Sequence, residues 1–201
     1  NLLRDIIFNK IIMKKTNLLL ATLLIIGPLS SIQSQDKFSK RKIANLKQEV
    51  SQLVEQDKKM TQVMIDKVFS FGELGFQEFE TSKYLSKILE ENGFDIEYQI
   101  SGIPTSWLAT WSNGEGGPTI ALGSDFDGVP STSQYPGVAY EKPVVEGAPG
   151  HGEGHNIGLP IVITSAISIK KIMIENNISG TLVLWPGVAE EILGAKAWYV
   201  R

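Results

Sequence analysis

The sequence predicts an α/β fold in which a partly parallel sheet is flanked by helices. The apolar run TIALGSDFD (119–127) is typical of a strand buried on both faces, and GTLVLWPG (180–187) of a second buried strand. A helical pattern over 159–177, with Pro160 in its first turn, separates them. Strand, helix and strand form a βαβ unit, which makes the two strands parallel.

The remaining elements follow from periodicity. Apolar residues at helical spacing predict helix over 39–70, and a second helix is expected from Thr81 or Ser82 to Gly93. Alternating residues over 94–100 and 106–112 predict two strands. A further helix is expected to start in the segment AEEILGAKAWYVR, at the end of the chain.

The region 128–158 is rich in glycine and proline and has no clear periodicity. A compact domain rarely carries an irregular loop this long unless the loop is functional.

The composition excludes several function classes. The 201 residues are 42% hydrophobic and 20% charged, as in ordinary globular proteins, and the net charge of −3 offers no basic surface for nucleic acid. The absence of cysteine excludes disulfides, thiolate zinc sites and cysteine nucleophiles.

The N-terminal region is predicted to be a targeting segment. Residues 13–34 combine two lysines, a short apolar stretch and a serine-rich end, which is the layout of a signal peptide for export. The apolar stretch is about half the roughly 20 residues that a stable membrane anchor needs. Residues 1–12, which precede Met13, are interpreted as an upstream extension, and 35–201 as the mature portion.

The only two histidines, His151 and His155, lie in the loop GHGEGHN together with Glu153. Glycines and a nearby proline disfavour a helix here, and in an extended segment alternate side chains point the same way. Glu153 and His155 can then converge on one metal ion, while His151 joins them or contacts a backbone carbonyl. The alternative is a surface loop with incidental histidines.

Two carboxylate pairs follow the predicted strands. Burying the adjacent Glu190 and Glu191 without compensation is costly, and a divalent cation would let one bind the metal while the other acts as general base. The alternative is a helix N-terminus, where glutamates favourably meet the helix dipole. Asp125 and Asp127 either end a strand or, for Asp127, orient a ligating imidazole.

All three clusters fall at the carboxyl ends of strands, where open α/β sheets bind ligands. Four segments in order also resemble the zinc-dependent amidohydrolase family of aminoacylases, glutamate carboxypeptidases and N-acyl amino acid hydrolases, and its aminobenzoyl-glutamate hydrolase branch in particular. These segments are FGELGFQEFETSKYLSKILEENGFDI, GSDFDGVP, GHGEGHN and GVAEEILGAK.

The resemblance implies a role for each matching residue. Glu153 stands where the branch has a metal-binding cysteine, and His155 where it has a metal-binding histidine. Glu190 matches the general base, Glu191 the next metal ligand, and Asp127 an aspartate that orients a ligand. The family binds two divalent ions, with Zn²⁺ expected first, but a carboxylate at Glu153 is more permissive toward Mn²⁺ than a thiolate would be.

The resemblance further implies a zinc-peptidase-like catalytic domain that is incomplete over 35–201. The family's downstream metal-binding histidines and its lid or dimerisation domain are not represented in this sequence. We therefore expect an N-terminal part of a longer, homodimeric hydrolase of N-acyl amino acids, aminobenzoyl-glutamate-like compounds or small peptides, inactive as this chain alone. The alternative is a non-catalytic binding or scaffold domain that retains the fold.

Overall fold

The computed structural model describes residues 38–200, so the expectations for 1–12 and for the signal peptide at 13–34 lie outside the described residues. The chain divides into two compact units. Of the first, residues 1–43, only the start of a helix is described. The second, residues 44–201, holds the rest of that helix and every other described helix and strand.

Five helices are present among the described residues. They are α1 (Lys40–Gln56), α2 (Lys58–Phe71), α3 (Phe79–Glu91), α4 (His155–Glu175) and the short α5 (Lys196–Tyr199). The predicted helix over 39–70 is confirmed as α1 and α2, which are separated at Asp57. Helix α2 ends at Gly72, whose left-handed φ of 53° suits glycine because it has no Cβ.

The part of the chain that the structure describes contains four strands, β1 (Asp95–Tyr98), β2 (Trp107–Asn113), β3 (Thr119–Asp125) and β4 (Gly180–Gly187). They form one sheet in the order β1-β2-β4-β3. Strand β4 pairs antiparallel with β2 and parallel with β3. The predicted βαβ unit is therefore confirmed as β3-α4-β4, and the fold class as an α/β fold with a partly parallel sheet.

The core lies between the helices and one face of the sheet. Helix α4 packs on β3 and β4, α3 packs on β1 and β2, and α2 contacts both of these helices. By length and composition α4 could cross a membrane, but helices in the core of soluble proteins pass the same test, and α4 packs in the core here. The fully buried core side chains include Trp107, Phe126, Met64, Leu85, Leu89, Leu159, Ile163, Leu182 and Leu184.

The prediction that 119–127 is buried on both faces is wrong for β3. This strand is at the edge of the described sheet, most of its residues are exposed, and the side chain of Ile120 is 49% exposed. An apolar run indicates that a strand can be buried, but it does not indicate whether the strand lies at the centre or at the edge of the sheet.

Helix α3 starts at Phe79, two or three residues before the predicted N-cap at Thr81 or Ser82. Thr81 and Ser82 are buried inside the helix, and the Glu73 side chain accepts hydrogen bonds from the backbone N–H groups of Glu80 (2.9 Å) and Thr81 (2.8 Å). A carboxylate from outside the helix thus satisfies N–H groups that have no partner within the helix. The predicted close of the helix at Gly93 is consistent with that residue's φ of 74°.

We expect Leu85→Ala to lower the free energy of unfolding by about 2–5 kcal/mol, because Leu85 is 0% exposed in the core and truncation leaves a cavity. Urea denaturation measures this loss. Ile174→Ala is the control, since the Ile174 side chain is 51% exposed, and it should change stability by less than about 0.5 kcal/mol. Equal losses in the two variants would contradict this assignment of the core.

Candidate metal centre

The parallel pairing of β3 with β4 brings their following segments to one edge of the sheet. Asp125, the last residue of β3, is paired in register with Gly187, the last residue of β4. The side chains of Asp125 and Glu190 therefore lie close together, and Asp127 contacts the backbone of Glu191, although more than sixty residues separate the partners of each pair in sequence.

The histidine loop enters this edge through the start of α4. Gly154 has a left-handed φ of 101°, and His155 is the first residue of the helix. The Glu153 side chain accepts a hydrogen bond of 3.0 Å from the His155 backbone N–H. The expectation of an extended segment is therefore wrong at His155: a glycine turn followed by a helix start brings the two side chains together.

The helix also starts four residues earlier than predicted, which places Pro160 in its second turn. Proline's preference for a first turn favoured the later start. The packing of α4 on α2, β3 and β4 outweighs that local preference.

The imidazole of His155 lies at the centre of the carboxylates. Its Nδ1 is 3.1 Å from the Asp127 backbone carbonyl, 3.4 Å from Glu153 Oε1 and 3.8 Å from Glu191 Oε1. Its Nε2 faces Glu190 Oε2 at 4.0 Å. Two groups of metal-ligating atoms result, each within 4.8 Å and both including His155: Glu153–His155–Glu191 and Asp125–His155–Glu190.

Asp127 is fully buried beneath the first group. Its Oδ2 accepts a 3.0 Å hydrogen bond from the Glu191 backbone N–H, and its Oδ1 lies 3.4 Å from His155 Nδ1 without a hydrogen-bond partner. One aspartate therefore contacts both the imidazole and the backbone of the second glutamate. These contacts restrain the His155 ring and the Glu191 backbone, but they use Nδ1, the same nitrogen that faces Glu153 and Glu191, whereas an orienting carboxylate usually accepts from the other ring nitrogen.

His151 lies deeper and has a different contact. Its Nε2 donates to the Val68 carbonyl at 3.2 Å, and its Nδ1 lies 3.6 Å from Glu153 Oε1 with no hydrogen-bond partner. Burial, which outweighs the nearby charge of Glu153, lowers the pKa of His151 and favours the neutral ring. Of the two alternatives for this residue, the structure has the backbone-carbonyl contact.

Glu190 and Glu191 do not begin a regular helix, so the helix-dipole alternative and the predicted helix from 189 are both wrong for them. They start a three-residue 3-10 turn (Glu190–Ile192) flanked by Ala189 and Leu193, both in the left-handed region. The further helix, α5, starts only at Lys196. Burial, followed by the negative charge of Glu153, raises the pKa of the Glu191 carboxyl.

The charges of the site fit a divalent cation. Among residues 38–200, no lysine or arginine pairs with Glu153, Asp127 or Glu191. Close carboxylates repel one another, and the unpartnered Oδ1 of buried Asp127 adds to this cost. An imidazole nitrogen with carboxylate oxygens is a donor set for Zn²⁺ and is also compatible with Mn²⁺.

Two further residues of this region were not predicted from the sequence. Lys196 pairs with Asp125 at 2.9 Å and lies 3.7 Å from Glu190 Oε1, which partly compensates the second group of ligand atoms. Glu78 is fully buried and accepts a 2.8 Å hydrogen bond from the Ala189 backbone N–H. Glu78 is 111 residues from its partner, and local sequence patterns carry no signal for such a contact.

A mixed α/β sheet with a histidine and several carboxylates at the ends of its parallel strands is compatible with the class of metal-dependent hydrolases. Comparison with known proteins agrees. The chain is 30% identical over 152 residues to one of the subunits of p-aminobenzoyl-glutamate hydrolase from Escherichia coli (strain K12), covering 76% of this chain and 31% of that protein. It is 32% identical over 138 residues to the amidohydrolase YhaA of Bacillus subtilis (strain 168), covering 63% of this chain and 31% of that protein.

Among solved structures, the chain resembles the Bacillus subtilis YXEP protein, a dinuclear metal binding peptidase from the M20 family. The TM-score is 0.56 at 26% identity, and the match covers 72% of this chain and 40% of the other. No protein-family model matches the chain.

These similarities support the amidohydrolase/M20 peptidase family for the part of its members that this chain covers. The chain spans about a third of the length of the curated relatives that it matches.

Proposed function

We propose that this chain carries metal-binding and proton-transfer residues of an enzyme that hydrolyses an amide bond in an N-acyl amino acid, an aminobenzoyl-glutamate-like compound or a small peptide. The observation that carries the proposal is the Glu153–His155–Glu191 group, whose ligand atoms lie within 4.8 Å of one another, with Glu190 beside it. The names of the relatives support the choice of an amide substrate.

In this proposal Glu153, His155 and Glu191 hold a divalent ion, and Asp127 orients His155 and the Glu191 backbone. When bound, the ion would act as a Lewis acid toward the scissile carbonyl and would acidify the attacking water. A second ion is expected, as the resemblance implies. Zn²⁺ is proposed first and Mn²⁺ second, because oxygen ligands at Glu153 discriminate less between these metals than a thiolate would.

Glu190 is the proposed general base. Glu190 is adjacent to Glu191 in the chain, but its carboxylate faces Nε2 of His155 and the Lys196 ammonium. It is therefore not one of the ligands of the Glu153–His155–Glu191 group. It accepts a proton from the attacking water and returns this proton to the departing amine, which balances the hydrolysis.

The proposal is tested on the protein in its natural full length. The protein is stripped with a chelator and assayed for release of free amine from p-aminobenzoyl-glutamate and a panel of N-acyl amino acids, before and after Zn²⁺ or Mn²⁺ is restored. We expect hydrolysis that is lost with the metal and regained with it. Hydrolysis that survives metal removal, or no hydrolysis with either metal, would contradict the proposal and favour the binding-domain alternative.

We also propose that the protein is exported, on the strength of the signal-like segment at 13–34. Fractionation of the producing cells, with mass spectrometry of the mature N-terminus, tests this. Processing near Ser34 with recovery outside the cytoplasm is expected, and an unprocessed cytoplasmic protein would contradict it.

A further inference from the structure

Glu78 is a charge-bearing side chain at a position where charge is costly. Its side chain is 0% exposed, and both carboxylate oxygens have partners: Oε1 accepts from the Ala189 N–H at 2.8 Å, and Oε2 accepts from the Thr105 hydroxyl at 2.9 Å. Fully buried positions are usually apolar, and burying a carboxylate is costly unless hydrogen bonds compensate it. The two hydrogen bonds of Glu78 provide such compensation.

The contact with Ala189 connects Glu78 to the candidate metal centre, because Ala189 directly precedes Glu190 and Glu191. Ala189 has a φ of 52° and a ψ of 42°, a conformation that residues with a Cβ rarely adopt and that persists where the surroundings enforce it. This conformation sets the direction in which the next two residues, Glu190 and Glu191, leave the end of β4. Any force that holds Ala189 therefore also aims the proposed base and ligand.

The segment that precedes Glu78 packs closely against the turn that contains Ala189. A Cβ added at Gly75 would lie 3.0 Å from Ala189 Cα, and the ring of Phe76 lies against Gly194, where an added Cβ would be 2.8 Å from Phe76 Cζ. Two carboxylates bind the backbone of this turn. Glu78 accepts a hydrogen bond from the Ala189 N–H, and Asp127 accepts one from the Glu191 N–H.

We propose that Glu78 is a positioning residue of the metal centre, whose buried carboxylate holds Ala189 in its left-handed conformation and thereby aims Glu190 and Glu191. This inference rests on the proposed function for its link to metal binding, but the restraint of the turn by Glu78 is argued from contacts that involve no metal. Glu78 itself is assigned no contact with substrate or metal.

Four variants of the full-length protein test the proposal. Glu78→Met places an apolar side chain of similar length in the site and leaves the Ala189 N–H without an acceptor, and Glu78→Asp keeps the charge on a shorter side chain. Glu78→Gln can still accept from Ala189 with its oxygen and donate to Thr105 with its amide nitrogen. Thr105→Val is the matched control, because it removes the other hydrogen bond of the same carboxylate and leaves the contact with Ala189.

Two readouts are measured. In metal-free protein, amide hydrogen exchange of the 188–194 segment should accelerate in Glu78→Met and Glu78→Asp but not in Glu78→Gln or Thr105→Val. By calorimetry, Zn²⁺ affinity should fall about 10- to 100-fold in the first two variants, as when an outer-shell partner of a metal ligand is lost, and should stay close to wild type in the other two.

The outcomes separate the two proposals. A wild-type protein that binds no metal would overturn the proposed function, while the exchange data would still decide whether Glu78 restrains the turn. If Glu78→Met does not fold, the contrast between Glu78→Asp and Glu78→Gln decides. Unchanged exchange in Glu78→Asp, or equal effects of Glu78→Asp and Thr105→Val on exchange and affinity, would overturn the positioning role and leave Glu78 as a structural residue only.

Discussion

Replacing His155 with alanine is expected to weaken Zn²⁺ binding by more than about 100-fold, beyond the loss typical of an outer-shell partner. The imidazole belongs to both groups of ligand atoms, and it is the nitrogen donor of each. Its removal leaves Glu153, Asp127 and Glu191 as neighbouring carboxylates without an imidazole among them. Isothermal titration of the chelator-stripped, full-length protein measures the change in affinity.

The control for this prediction is Glu115→Gln, which removes one negative charge from an exposed turn away from the site. It should leave Zn²⁺ affinity unchanged. A His155→Ala variant that binds Zn²⁺ as tightly as the control would mean that the ion, if any, is held elsewhere.

The second large effect is expected at Glu190. Glu190→Gln preserves the size of the side chain but removes its ability to accept a proton, so kcat should fall about 100- to 10,000-fold while metal affinity is retained. Glu191→Gln provides the matched comparison, because it alters the adjacent carboxylate, which lies in the other group of ligand atoms. In the Glu191→Gln variant the main effect should be a loss of Zn²⁺ affinity, whereas in Glu190→Gln it should be the fall in kcat.

Steady-state kinetics and metal titration on both variants check this division of roles. If Glu190→Gln loses the metal and Glu191→Gln keeps it, the assignments are reversed. If Glu190→Gln retains wild-type kcat, Glu190 is not the general base.

The arrangement of the site can be predicted from the sequence because the topology of a parallel sheet determines which segments lie at the same edge. Parallel strands direct their carboxyl ends to one edge, so Asp127 and Glu190 are expected to meet once 119–127 and 180–187 are interpreted as strands of a βαβ unit. The structure brings these residues together with Glu153, His155 and Glu191.

The local geometry of the loop cannot be predicted in the same way. Glycines at 152 and 154 indicate only that the backbone is free to adopt unusual angles. Whether that freedom produces an extended segment or a turn into a helix depends on how α4 packs against the sheet, and packing is not a local property. The start of α4 at His155 therefore differs from the expectation.

The exposure of β3 and the contacts of Glu78 escape prediction for related reasons. Strand order decides which strand lies at an edge, and residue type does not encode that order. Glu78 lies in the segment FGELGFQEFE among other acidic residues, and it differs from them only through its contacts with Thr105 and Ala189. Long-range hydrogen bonds of this kind become visible only when the chain is folded.

The most direct test of the proposed metal centre is anomalous scattering from crystals of the full-length protein grown with Zn²⁺. We expect an anomalous peak within coordination distance of Glu153, His155 and Glu191, with Asp127 in contact with the ligands and not with the ion. A well-ordered site without an ion among these side chains, or a peak coordinated by other residues, would contradict the proposed centre.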